Sequence, residues 1–149
     1  METTLIIDKA KVYEEIAQTT SYTGTKMQND PDAYKRIFTT DADQSQLERF
    51  WSESCIIVCQ TLKKYLVSDK ETDGGHEFEM EFSKSFDAAL LPSMRDELFS
   101  FFVMNITAKW YAYSNKEEAP QYAATALSLI EGVHRKACYK RRPVRPNHK

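Results

Sequence analysis

Glycine is scarce in this chain, with four among 149 residues, and proline numbers only five. Few breakers and few turn formers exclude loop-rich and collagen-like architectures and favour long helices joined by few connections. Cysteine is equally sparse, at three. No apolar h-region of a signal peptide opens the chain, since Leu5–Ile7 is far too short for one. Three cysteines in that setting lead us to expect free thiols in a reducing cytosol rather than a disulfide framework. No uncharged run approaches the about 20 apolar residues of a membrane span, so no membrane partner is expected. Also missing are a G-x-S-x-G elbow, a phosphate-binding loop and a dinucleotide fingerprint. The expectation is therefore a protein without catalysis and without a cofactor.

What is present fits one globular domain. Hydrophobic residues make up 42% and charged residues 28%, which is ordinary composition. A chain of this length buries a sizeable core without staples. The longest apolar stretch, Leu90 to Tyr113, reads as the central helix. Pro92 suits its first turn, and Asp96 and Glu97 lie near its positive end. Apolar side chains from Met94 to Tyr113 wrap more than half of its surface, as in a helix contacted on several sides.

Three further helices follow from apolar periodicity. Residues 8 to 20 form the first, with Asp8 as its cap and Val12 and Ile16 on one face. Asp30-Pro31 opens a short turn over Ala33 to Phe38, and Thr39, Thr40, Asp41 and Asp43 offer caps for the next element. Gln44 to Val67 reads as one helix of about 24 residues, or about 36 Å. Glu117 to about Tyr139 forms the last, with Tyr122, Ala126, Leu129, Ile130, Val133 and Ala137 as its stripe.

Between the second and central helices, SDKETDGGH reads as a polar connection. Phe78, Met80 and Phe82 then alternate with Glu77, Glu79 and Glu81, the pattern of a half-buried strand with an acidic outer face. Its partner is either Leu5–Ile7 or a neighbouring subunit, which makes Phe78, Met80 and Phe82 a candidate oligomer edge. The expected fold is mainly α: a four-helix bundle-like single domain over residues 1–140, with a small β excursion near 77–82. Residues 141–149 form a basic, Pro-containing tail.

Charge is unevenly spread. Arg135 to Lys149 holds seven basic residues and no acid; the other 13 basic residues face all 22 acidic ones, a net of −9 over the first 134 positions. An acidic body with a basic extension hints at a directed electrostatic contact. Lys140, Arg141, Arg142 and Arg145 are the candidates for contact with a partner or with nucleic-acid phosphates. Tyr139 is the one aromatic there, so base stacking is poorly supported. Glu14-Glu15, Asp41 with Asp43, and Glu117-Glu118 read as solvated charge. One metal-like arrangement exists: Cys55 and Cys59 four apart on one helix, His134 and Cys138 four apart on another. A zinc site would need those faces to meet; otherwise the thiols are small core residues, and no metal is expected.

The order of elements resembles a known family. D-x-D-x-x-x-L runs from Asp41 to Leu47, E-S-C-I-I-V-C-Q-T-L-K-K-Y-L follows from Glu53, and Leu91-Pro92 opens an aromatic-rich helix. This is similar to the head–tail connector (adaptor) proteins of tailed bacteriophages, small helical proteins that form a ring under the portal. The similarity covers about Asp41 to Tyr113. The long first 40 residues and the helix from Glu117 depart from that pattern. The resemblance implies a structural subunit with no catalytic residues, a homo-oligomer, and other structural proteins of a phage particle as partners. It places the chain in the cytoplasm of a bacterial host or in the assembled virion.

Overall fold

The computed structural model describes residues 1–26 and 43–144. The elements run β1 (Glu2–Asp8), α1 (Lys9–Lys26), α2 (Gln44–Thr61), β2 (Leu66–Thr72), β3 (Gly75–Glu81), α3 (Leu91–Ser114) and α4 (Ala119–Cys138). The expected turn over Ala33–Phe38 and the caps at Thr39, Thr40 and Asp41 lie outside the described residues. The protein is mainly helical, with a small antiparallel sheet of order β1-β3-β2.

The central helix is where its apolar surface puts it. α3 packs along α4 and also meets α1, α2 and β1. Met94, Leu98, Phe101, Phe102, Ile106 and Tyr111 are buried along it. Pro92 occupies its first turn, where a missing N–H costs no helical bond. Asp8 caps α1 by accepting from the Lys11 amide at 3.2 Å. α1 continues to Lys26, beyond the expected end at residue 20, because no proline interrupts its N–H ladder.

α2 is shorter than its periodicity predicts. It stops at Thr61 rather than Val67, and Leu66–Thr72 becomes β2, paired with β3. Tyr65 and Leu66 keep helical spacing, but a hairpin closed at Asp73-Gly74 satisfies this backbone through the β3 ladder. The polar connection is thus largely strand.

β3 also corrects the oligomer edge. It is the middle strand, with β1 on one side and β2 on the other. Leu5 pairs with Phe78 and Thr3 with Met80, so Leu5–Ile7 is the partner the strand required. Phe78 and Met80 are 0% exposed and Phe82 3%. They form the roof of the core, and no edge is left there for another chain. Among the described residues, the free edges belong to β1 and β2.

Polar links fix the helices. Asn105 donates to Ser54 at 2.8 Å, and Lys109 meets Glu53 at 2.9 Å. Both tie α2 to α3. The Lys109 hydrogen bond holds the Glu53 carboxyl below its usual range. Lys136 on α4 bonds Glu97 and Ser93 on α3.

Candidate functional site

Two features stand apart from the core: the root of the basic tail, and a cleft between α2 and the β2–β3 hairpin. The tail begins where α4 ends at Cys138 and Tyr139 turns extended. Lys140 makes an isolated antiparallel bridge with Phe86. The Arg141 amide donates to the Ser85 carbonyl, and its guanidinium donates to the Lys84 carbonyl at 3.2 Å. Phe86 in turn stacks on Phe82 at 4.3 Å. Arg141, at the start of the expected tail, is thus hydrogen-bonded to the body through Ser85 and Lys84. Lys140, Arg141 and Arg142 are all exposed. Arg145 lies outside the described residues.

The cleft has a volume of about 640 Å³, within the range of small-molecule sites. Trp51, Cys55, Ile56 and Leu66 give it an apolar lining, while Cys59, Asp69, Glu71 and His76 supply polar groups. Strand alternation aims His76 inward together with Phe78 and Met80. Register brings Asp69 opposite Phe78 and Glu71 opposite His76. The His76 Nε2 lies 2.8 Å from the Asp69 carboxylate. Lys9 lies beside the lining residues Trp51 and Glu71, 2.8 Å from Glu48 and 3.2 Å from Glu71 and 5.4 Å above the Trp51 ring. Burial pulls the Lys9 pKa down, but its bonds to Glu48 and Glu71 outweigh that and raise it.

The thiols here are unreactive by environment. Burial pushes Cys55 up to about 12, with help from Cys59 and the acidic wall. Burial, then the Asp69 carboxylate, pushes Cys59 up to about 11. A thiol that stays protonated near neutral pH is a poor nucleophile. Cys138 is exposed and lies elsewhere, 3.1 Å from the Tyr65 hydroxyl. His134 also faces Tyr65, at 6.4 Å between rings. Cys55 and Cys59 thus open onto the cleft, and His134 and Cys138 lie near Tyr65. Among the described residues no group of three or more His, Cys, Asp or Glu side chains is placed to hold a metal ion. No family model matches the chain, and neither does any curated protein or solved structure.

The cleft residues Asp69 and His76 escaped the sequence reading. Their signal was present: His76 lies two positions before Phe78 and shares its inward phase. What was missing was β2, which alone brings Asp69 to the imidazole. Native-state alkylation at pH 8 is expected to modify one of the three thiols quickly, Cys138. Cys59 should follow only as pH approaches its raised value, and Cys55 only on unfolding. Rapid modification of all three in the folded protein would contradict the cleft as described.

Proposed function

We propose that this protein is a non-catalytic assembly subunit of the kind found in phage or prophage head–tail connectors. Its bundle-like helical body is the scaffold, and its sheet and tail are the contact surfaces. The observation that carries this reading is the basic extension rooted on a rigid body. Lys140 and Arg141 are tied down by the Phe86 bridge and the Lys84 and Ser85 carbonyls, while their charged neighbourhood stays exposed. A cationic segment presented this way suits a docking contact better than a solvated end does, because its root is already ordered and less entropy is lost on binding. The two sheet edges that are free among the described residues, β1 and β2, support the same reading.

A second reading is favoured by the same cations: a helical domain that contacts nucleic-acid phosphates through Lys140, Arg141 and Arg142. Light scattering over a range of concentrations, with and without duplex DNA, separates the two. The assembly reading expects mass to rise with concentration in the absence of DNA. A chain that stays monomeric alone but binds DNA with a log–log salt slope near −0.9 per neutralised phosphate would replace it with the second.

A further inference from the structure

Among the described residues, the sheet is covered on one face only. Leu5, Ile7, Phe78 and Met80 are buried beneath it. The opposite face carries Glu77, Glu79 and Glu81 on β3, with Glu2, Thr4 and Ile6 beside them on β1. Register sets Glu2 directly opposite Glu81 and Ile6 opposite Glu77. Facing carboxylates on neighbouring strands repel. Lys70, opposite Glu77, is the cation that β2 brings to this face. At its end, the chain's amino group donates to the Phe82 carbonyl at 2.9 Å. Ile6 is 59% exposed at the Glu77 end of this acidic surface.

The complementary surface is the described part of the tail. Lys140, Arg141 and Arg142 are exposed, and Val144 is 92% exposed. Their root at Phe86 lies just beyond the end of β3. Even so, none of these three cations forms an ion pair with the carboxylates of its own sheet among the described residues. Pro143 keeps its neighbours extended. In an extended chain Lys140, Arg142 and Val144 recur every second residue, the same period at which Glu81, Glu79 and Glu77 line the strand. Run antiparallel to β3, the segment would set its cations over Glu81 and Glu79 and its one aliphatic side chain over Glu77, beside Ile6.

We propose that the acidic outer sheet face of one copy receives the Lys140–Val144 segment of a second copy. This rests on the assembly reading above and names its contact. The contact is heterologous, since a tail meets a sheet rather than its own counterpart. Repeated around an axis, such a contact closes into a ring or runs on as a filament. The occupant is a second copy because the charges match in sign and spacing, while within one chain Lys140 and Glu81 line the same pocket without pairing among the described residues.

Paired charge reversals in the full chain test this. Glu79→Lys/Glu81→Lys and Lys140→Glu/Arg142→Glu each change exposed side chains, so melting curves should match the parent and confirm folding. In sedimentation velocity at physiological salt, each variant should self-associate at least about tenfold more weakly. An equimolar mixture of the two should recover association, because each then offers the other a complementary surface. Undiminished association in both variants, or a loss that mixing does not recover, overturns the tail-to-sheet contact and leaves the assembly reading standing. A parent chain that stays monomeric at every concentration overturns both. A disulfide between Arg142→Cys and Glu79→Cys that forms at a rate independent of dilution puts the tail on its own sheet and overturns the second-copy assignment.

Discussion

Phe102→Ala is expected to destabilise the protein by about 3–5 kcal/mol. Phe102 is fully buried on α3 and stands where three elements meet. Its ring lies 4.7 Å from Trp51 on α2, 6.3 Å from Phe78 on β3 and 5.8 Å from Phe101 on its own helix. Truncation removes the transfer energy of a large ring. It also leaves a void that two helices and a sheet cannot jointly close, because each is held by other contacts. A domain of this size has only about 5–15 kcal/mol in hand, so the variant should unfold at a much lower denaturant concentration. Phe102→Leu should recover part of the loss. Urea titration followed by far-UV circular dichroism measures both. A loss under about 1 kcal/mol for the alanine variant would mean that this junction is not the centre of the core.

Gly75→Ala should cost about 1–3 kcal/mol, while its neighbour Gly74→Ala should stay within about 0.5 kcal/mol of the parent. Both glycines sit at the β2–β3 turn, and only the surroundings differ. Gly75 pairs with Asp8 across the sheet. A Cβ added there falls against the main-chain carbonyl of Ile7, and a strand backbone cannot swing aside as a side chain would. Gly74 has open space around it, although its carbonyl accepts from the Lys9 amide at 2.9 Å. Relief at Gly75 requires β1 to move away from β3, which loosens Leu5 and Ile7 over the core. The same urea titrations check the pair. Equal effects at the two positions would show that β1 does not approach the hairpin turn this closely.

The legible parts of the fold were those whose information is local. α3 carries its own instructions: a proline in the first turn, acids behind it, and apolar side chains on most sides, which admit only a buried central helix. α4 likewise begins at a proline and shows a clean apolar stripe. The alternation at Glu77–Phe82 specified a strand, an inward face and an acidic outward face, because period two assigns each side chain to a side. The acidic body and the basic extension were likewise plain in composition.

Tertiary structure settled what local pattern leaves degenerate. Leu62, Tyr65 and Leu66 satisfy a helical period as well as a strand does, so the end of α2 at Thr61 was decided by β3, which offers β2 a ladder. The same pairing made β3 a middle strand and turned Phe78, Met80 and Phe82 from an edge into core. The i, i+4 spacing put Cys55 beside Cys59 and His134 beside Cys138. Only the packing of α2 and α4 could say whether those faces meet, and it places one pair on the cleft and the other beside Tyr65. The contacts of Arg141 could not be read from sequence, since Ser85 and Lys84 are brought to it by the way α3 and α4 pack along each other. Periodicity fixes which side of an element is buried; it carries no record of which distant element does the burying, and that information exists only once the chain has closed on itself.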